Sequence, residues 1–391
     1  MCSGAGHLAR WSPSSRSPVP DTVQQPGAPR TDVLPVLSGL LGDALLLVER
    51  GTATPGDIDT AMRLGAGHPA GPFEVLAVLA PAERAALGLP PAPPAVACPD
   101  AGATSRRTWS GPVGVCGTGH MAGGIVEAVA RSGRPVRVLA RSDASGARLL
   151  GRLTGSLDRT VSRGRLDEAG RADILGRVSV VGEPGGLADA DVVIEAVAED
   201  LDAKAEVITR LDAALPTSVP LATNTSSFRV ADLRLFVGGP RPVMALHFFN
   251  PAQVMKLVEV VVPDDVAGAD DLLATAAAWV RDLGKTPVAC SDSRGFVVNR
   301  LLIPFLNDAV RLLADGRSVD EVDDLVRTGA GHPMGPLALI DLIGVDVTVA
   351  ALESMAAVED DPRIRPAPPL LELASAGRLG RKSGAGFHTY G

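Results

Sequence analysis

GPVGVCGTGHMAGGIVEAVARSGRPVRVLARS, residues 111–142, is the stretch that decides the fold. Its pattern predicts a short apolar strand, a glycine-rich turn, a helix and a second apolar strand. In the turn, Gly117 permits a tight bend and Gly119 lets the backbone approach a pyrophosphate. Ala122 takes the third position of the G-x-G-x-x-G/A pattern, and Gly124 allows close helix packing. The stretch therefore predicts a dinucleotide-binding unit whose helix N-terminus binds phosphate.

The end of the second strand bears on which dinucleotide binds. An NAD-selective site places an acidic residue here for the ribose hydroxyls, whereas this chain has Ala140, Arg141 and Ser142. A guanidinium and a hydroxyl can bind a 2′-phosphate through charge-assisted hydrogen bonds. We therefore expect NAD(P)(H) as the cofactor, with NADP(H) favoured. The alternative is that Arg141 is a solvated surface residue and that NAD binds through its other contacts.

Apolar runs continue after this opening and alternate with helical patterns. They are ADADVVIEAVAED, VPLATNTSS and PVMALHFFNP. Alternating strands and helices predict a mainly parallel sheet, so the fold class is an α/β Rossmann domain followed by an all-α helical domain, with an additional N-terminal helical hairpin. The expected division is a disordered leader (1–30), a partial helical repeat (31–90), a linker (91–110), the Rossmann domain (111–290) and the C-terminal helical domain (291–391).

A histidine and a carboxylate lie in the two apolar runs near the end of the sheet. His247 stands between MAL and FFNP, and Glu259 lies in VMKLVEVV, whose period-two pattern suggests a strand. A lone histidine on an apolar face is more often a core residue than a catalytic one. Here a polar cluster, residues 224–227, follows the strand VPLAT at the edge where ligands bind in such sheets. A histidine that a buried carboxylate orients is the arrangement of general acid–base catalysis.

The N-terminal unit resembles the helical region that follows the sheet. Residues from Gly42 align with those from Asn307 with a one-residue gap, and His68 and His332 each lie in GAGHPxGP. The repeated Pro/Gly turn indicates a structural corner. Leu34 stands where the second copy has Asn299, so we expect the first copy to be non-catalytic. A homodimer is expected; the alternative is a pseudo-dimeric monomer in which the first copy covers the surface of a second subunit.

Composition excludes several classes of protein. The net charge of −8 argues against broad binding to nucleic acid or to an anionic membrane. The four cysteines lack CxxC spacing, so neither a metal site nor a disulfide framework is indicated. No apolar run approaches the roughly 20 residues that span a bilayer. We expect a cytoplasmic protein with no membrane partner.

These motifs together resemble the 3-hydroxyacyl-CoA dehydrogenase family, which includes 3-hydroxybutyryl-CoA dehydrogenases of fatty acid metabolism. The resemblance covers about Pro112 to Tyr390 and rests on GxGxMxxGI, VIEAVAED, ATNTSS, HFFNPxxVMKLVEVV, GFVVNRLL, GAGHPMGP and GRKSGAGF. It implies reversible hydride transfer between nicotinamide and C3 of a (3S)-3-hydroxyacyl-CoA or 3-oxoacyl-CoA. By family habit the cofactor is NAD(H), but Ala140 replaces the ribose-binding Asp.

The resemblance also implies roles for individual residues. His247 would be the acid/base and Glu259 its orienting carboxylate, while Ser226 and Asn299 would hold the 3-oxygen of the substrate. The positions that match the family's cofactor contacts are Glu199, Lys204, Asn250 and Lys382. The positions that match its coenzyme A contacts are Ser156 and Arg163, where Arg163 replaces the usual Lys.

Three alternatives remain open from the sequence. The same chemistry could act on a carrier-protein thioester or on a small free hydroxy acid. A non-catalytic, nucleotide-binding member is a further alternative, against which the intact set of four catalytic-type residues weighs.

Overall fold

The structure is a computed structural model that describes residues 29–90 and 108–391. The leader expected over residues 1–30 and the linker expected over residues 91–110 lie outside these ranges, apart from residues 29–30 and 108–110.

Four helices form the N-terminal unit, where the sequence predicted a hairpin. They are α1 (Leu34–Glu49), α2 (Pro55–Gly65), α3 (Pro72–Val78) and α4 (Pro81–Ala86). Thr54 caps the second helix, because its hydroxyl accepts the Asp57 N–H at 3.2 Å. A proline begins each of the last three helices, since its missing N–H costs nothing at a helix start.

An eight-stranded sheet forms the centre of the next unit. Its strands are β1 (Val113–Cys116), β2 (Val136–Leu139), β3 (Val178–Val181), β4 (Val192–Glu195), β5 (Leu221–Thr223), β6 (Val243–Phe248), β7 (Leu257–Val261) and β8 (Thr286–Ala289). Their order is β3-β2-β1-β4-β5-β6-β7-β8, and only the β6–β7 pair is antiparallel. The predicted mainly parallel Rossmann sheet is thus confirmed. All five residues of β7 are buried, because β6 and β8 flank it and helices cover both faces of the sheet.

Helices on both faces of the sheet and a C-terminal helical unit complete the fold. Around the sheet lie α5 (His120–Arg131), α6 (Asp143–Ser162), α7 (Glu168–Gly176), α8 (Leu201–Ala214), α9 (Val230–Arg234) and α10 (Ala269–Asp282). The C-terminal unit contains α11 (Val298–Arg311), α12 (Val319–Gly329), α13 (Pro336–Ile343), α14 (Val345–Ala356) and α15 (Pro368–Ser375).

The N-terminal and C-terminal helical units meet through matching turns. The His68 and His332 rings stack on each other with their centroids 4.1 Å apart. The neighbouring glycine of each turn faces the proline of the other: a Cβ at Gly67 or Gly331 would lie 3.6 Å from Pro333 or Pro69, respectively. The contacts are therefore reciprocal, as in an interface with two-fold symmetry.

Carboxylates at matching positions make the same contacts in both units. Asp59 accepts the N–H groups at the start of α3, and Asp323 accepts those at the start of α13. Asp43 and Asp308 both bind one guanidinium, that of Arg363, at 3.0 and 2.6 Å. Apolar residues of α1 and α11 share one core, so the two units form one packed body.

Candidate functional site

The two residues predicted as the acid–base pair, His247 and Glu259, face each other on β6 and β7. Antiparallel pairing places His247 directly opposite Glu259, and their side chains point to the same face. Nδ1 of His247 lies 2.6 Å from Oε2 of Glu259, and both side chains are buried. The carboxylate therefore fixes Nδ1 as the protonated nitrogen and leaves Nε2 to exchange a proton with a bound substrate.

Glu259 also ties this pair to the C-terminal unit. Its other oxygen, Oε1, accepts the N–H groups of Val297 and Val298 at 3.1 and 2.9 Å, where α11 begins. Because the first N–H groups of a helix lack partners within the helix, they satisfy a buried carboxylate well. Asn299 follows on the first turn of α11 and is half-buried. The residue before Asn299, Val298, is thus bound directly to Glu259.

Aromatic rings enclose the imidazole. Phe249 and Phe296 pack against His247 with ring centroids 4.5 and 5.6 Å away. The Phe248 N–H donates to Oδ1 of Asn224 at 2.8 Å, which fixes the end of β6 against the polar cluster after β5. Such walls exclude water from the histidine.

Ser226 lies beside Glu199, so the structure brings together two residues for which the sequence predicted different ligands. Oε1 of Glu199 accepts bonds from the backbone N–H of Ser226 at 2.8 Å and from the Thr225 hydroxyl at 2.6 Å. Desolvation opposes ionisation, but the Lys204 ammonium, the hydroxyls of Thr225 and Ser227 and the Ser226 N–H outweigh it and lower the pKa of Glu199 from 4.5 to about 2. Glu199 is therefore a charged anchor for the serine loop.

Lys204 belongs to a buried ion network that sequence reasoning missed in part. Its ammonium lies 3.0 Å from Glu195 and 3.1 Å from Glu199. Glu195 also accepts the Thr223 hydroxyl at 2.7 Å and the Val197 N–H at 2.7 Å. The sequence did contain a sign of this network: Glu195 lies inside the apolar run DVVIEAV, and a buried charge needs a partner of opposite charge.

The other predicted ligand contacts are spread over several surfaces. Asn250 is exposed just after β6, and Lys382 lies near the C-terminus, where its ammonium binds Asp346 at 2.5 and 2.7 Å. Ser156 is half-buried on α6, and Arg163 is exposed at the end of that helix. Among the described residues, none of these four forms a hydrogen bond or an ion pair with His247 or Glu259.

The glycine-rich turn has the geometry that a dinucleotide requires. Gly117 has a φ of 126°, and a Cβ there would lie 2.5 Å from the carbonyl oxygen of Ala196. Gly119 is the N-cap residue that precedes α5, and a Cβ there would meet no protein atom within 4 Å. Close packing is confirmed for Gly124, where a Cβ would be 3.1 Å from Ala252. Ala122 is fully buried at the base of the turn. Only glycine suits Gly117, and the helix N-terminus beside Gly119 fits a phosphate.

A cavity of about 590 Å³ lies at the end of β2, next to this turn. Ala140, Arg141 and Ser142 line it together with residues from α6 and β3. Arg141 is exposed and forms no ion pair within residues 29–90 and 108–391, whereas the Ser142 hydroxyl accepts the Ser145 N–H that caps α6. The residues present therefore fit the ribose end of a nicotinamide dinucleotide.

Comparisons with known proteins match almost the whole described chain. The profile "3-hydroxyacyl-CoA dehydrogenase, NAD binding domain" matches residues 112–293, and "3-hydroxyacyl-CoA dehydrogenase, C-terminal domain" matches residues 35–81 and 295–390. A 3-hydroxybutyryl-CoA dehydrogenase from Mycobacterium tuberculosis is 41% identical over 286 residues, 71% of this chain and 98% of the relative.

The chain is also similar to a relative from another organism and to a solved structure. A 3-hydroxybutyryl-CoA dehydrogenase from Clostridioides difficile is 38% identical over 277 residues, 71% of this chain and 98% of the relative. The crystal structure of (S)-3-hydroxybutyryl-CoA dehydrogenase PaaH1 from Ralstonia eutropha superposes with a TM-score of 0.69 at 36% identity, covering 73% of this chain and all of that one. Across the described residues, no helix has the length and apolarity to cross a membrane.

Proposed function

Because the chain belongs to the 3-hydroxyacyl-CoA dehydrogenase family, we propose that it is an oxidoreductase acting on C3 of a (3S)-3-hydroxyacyl-CoA or its 3-oxo form. The observation that carries this proposal is the buried hydrogen bond of 2.6 Å between His247 and Glu259 at the carboxyl edge of a dinucleotide-binding sheet. A histidine with one nitrogen fixed by a carboxylate has its other nitrogen available to the substrate hydroxyl.

His247 moves the proton of the reaction. In oxidation its Nε2 accepts the proton of the 3-hydroxyl group, and in reduction it returns that proton to the 3-oxygen. The nicotinamide, when bound, supplies the hydride acceptor or donor. Glu259 stabilises the imidazolium that forms, and the aromatic walls of Phe249 and Phe296 keep water from competing for the proton.

Ser226 and Asn299 are proposed to hold the 3-oxygen of the substrate. Ser226 is held in place by Glu199, which accepts its backbone N–H. Asn299 is held in place because the start of α11, just before it, binds Glu259. Donors positioned in advance stabilise charge on oxygen without further reorganisation. Ser156 and Arg163 are proposed to contact coenzyme A on α6, and Asn250 and Lys382 to contact the cofactor.

NAD(P)(H) binds at the glycine-rich turn, and we propose that NADP(H) is favoured. The support is Arg141, an exposed guanidinium without a carboxylate partner among the described residues, in the cavity where Ala140 replaces the ribose-binding acid. Under this proposal, reduction of 3-oxoacyl thioesters in the cytoplasm is the favoured direction.

The first test is an absorbance assay at 340 nm with acetoacetyl-CoA and either NADH or NADPH. We expect oxidation of both cofactors and a higher kcat/KM with NADPH. The His247→Ala variant should lose about 10²- to 10⁴-fold in kcat, the usual contribution of a general acid, with little change in cofactor affinity. Turnover equal to that of the wild type would refute the role of His247, and equal use of both cofactors would refute the role of Arg141.

The N-terminal unit is proposed to take the place of a second subunit. The reciprocal contacts of His68 with His332, and the guanidinium of Arg363 shared by Asp43 and Asp308, are those of a two-fold interface within one chain. Light scattering of the full chain after gel filtration should therefore give the mass of one chain, 40.1 kDa. A concentration-independent dimer mass would contradict this proposal and favour the homodimer.

A further inference from the structure

A cavity of about 410 Å³ lies where the N-terminal unit, the sheet unit and the C-terminal unit meet. Four arginines from different parts of the chain line it. Arg50 follows α1, Arg229 precedes α9, Arg294 lies in the loop before α11, and Arg300 is on α11. We call this cavity the arginine pocket.

The arginine pocket adjoins the groups that hold the substrate. Arg294 donates to the carbonyl oxygen of Ser227 at 3.1 Å, and Ser227 directly follows Ser226. Two residues after Arg294, Phe296 packs on the ring of His247. Residues 227–229 and 294–296 therefore connect the pocket to the residues proposed to bind the 3-oxygen, and an acyl chain that follows these two segments ends in the pocket.

Positive charge exceeds negative charge in this pocket. Its two lining carboxylates already have partners: Asp292 accepts two N–H groups at the start of α9, and Glu359 binds both Arg50 and Arg300 at 2.8 and 2.7 Å. Among the lining residues, four guanidinium groups face these two carboxylates. Just outside the lining, Asp232 binds Arg229 and Arg294. Asp43, which shares Arg363 with Asp308, acts on Arg300 only at longer range, without an ion pair.

These carboxylates leave two guanidinium N–H groups of the pocket without a hydrogen-bond acceptor. Nη1 of Arg300 and Nε of Arg294 are buried and have no hydrogen-bond partner among the described residues. The side chain of Arg300 is only 6% exposed. Surplus positive charge near a protein interior is unfavourable unless an anion neutralises it, so the pocket suits a ligand that brings a negative charge.

Apolar side chains also line the arginine pocket. Leu47 and Met355 are buried in its wall, and Val358 is exposed at its edge. Methylene groups can pack against these residues while a terminal anion reaches the guanidinium groups. A carboxylate matches the planar fork of arginine better than any neutral end group.

We propose that the acyl group of the preferred substrate ends in a carboxylate, so that the enzyme acts on thioesters of dicarboxylic acids. This inference rests on the proposed function and leaves its chemistry unchanged. The N-terminal unit then has a role in specificity, because it supplies Arg50 and Leu47 to the pocket.

Matched pairs of substrates test this inference with the full chain. We would compare 3-oxoacyl-CoA thioesters of six and of eight carbons, each with a methyl or a carboxylate end, and include acetoacetyl-CoA as reference. At one or both lengths, the carboxylate end should raise kcat/KM at least about tenfold, mainly through KM, because the added contact is the same in ground and transition states.

Variants assign the preference to the pocket. Arg294→Met should bring the ratio of the two kcat/KM values close to one, and Arg229→Gln, in an exposed loop, should lower it without a risk to folding. Arg210→Met, at an exposed arginine on α8 that pairs with Glu206, should leave the ratio as in the wild type.

Each outcome decides between the proposals. Equal or better turnover of the methyl-ended thioesters at both lengths would overturn the dicarboxylic inference and leave the dehydrogenase function intact. A preference that survives both pocket variants would also overturn it. Failure to turn over any of the thioesters, acetoacetyl-CoA included, would refute the proposed function itself.

Discussion

At the level of single residues, the two carboxylate oxygens of Glu259 bind different parts of the protein. One oxygen binds His247, and the other binds the first N–H groups of α11. A glutamine could keep the second contact through its carbonyl oxygen but has no charge to stabilise an imidazolium. Catalysis and positioning can therefore be separated at this residue.

The Glu259→Gln variant should fold but lose roughly 100-fold in kcat with acetoacetyl-CoA, since the imidazolium is no longer stabilised. Steady-state rates and a thermal unfolding midpoint measured on the same sample would show both effects. Glu127→Gln is a matched control, because Glu127 is also a buried glutamate with one cationic partner, Arg131, outside the site. A kcat near that of the wild type for Glu259→Gln would exclude the imidazolium role.

At the level of elements, the turn between β1 and α5 contains two glycines that are required for different reasons. Gly117 requires both its positive φ and the space beside Ala196, whereas Gly119 has no protein atom near its missing side chain. The first demand comes from the fold, and the second comes from the approach of a ligand.

Alanine substitutions should therefore act differently along this turn. Gly117→Ala should lower both the thermal unfolding midpoint and the affinity for the cofactor. Gly119→Ala should keep the midpoint but weaken cofactor binding at least about tenfold, because the added methyl group meets the pyrophosphate. Gly123→Ala, on open helix surface, is the control and should retain affinity. Titration of cofactor fluorescence measures the affinities; unchanged binding in Gly119→Ala would contradict the assigned phosphate site.

Local patterns made these elements predictable from the sequence. The strand, turn and helix around Gly117 and the pairing of His247 with Glu259 depend on neighbours along the chain or on adjacent strands, where periodicity carries the signal. The partnership of Ser226 with Glu199 and the sharing of Glu359 by Arg50 and Arg300 depend on how distant segments pack. Charge type at those positions indicated a need for partners but not which partners.

At the scale of the whole molecule, two neutral imidazoles lie between the helical units. Burial lowers the pKa of His68 well below 6.5, and nearby His332 adds to the effect; burial alone lowers the pKa of His332 to about 4. The unfolded chain takes up protons near pH 6.5, while the folded chain does so only at lower pH. Stability contributed by keeping these rings neutral is thus present above pH 6.5 and is lost as the pH falls toward 4.

This contact predicts an acid-sensitive fold. The free energy of unfolding should fall between pH 6.5 and 4.5, by up to about 1.4 kcal/mol per pH unit for each histidine. His68→Phe should make this slope shallower, because one of the two titrating rings is gone while the aromatic packing against Phe305 can persist. Urea unfolding at several pH values measures the slope; an identical slope in the variant would show that the pKa of His68 is the same in the folded and the unfolded chain.

Two helical units on one chain also change how an interface can evolve. In an assembly of identical subunits, one codon encodes both sides of the contact, so every substitution appears twice. Here Leu34 occupies the position that corresponds to Asn299, and Arg50 occupies the one that corresponds to Asp315. Each half can therefore diverge without altering the other: the N-terminal half contributes Leu47 and Arg50 to the arginine pocket, while its counterpart keeps Asn299.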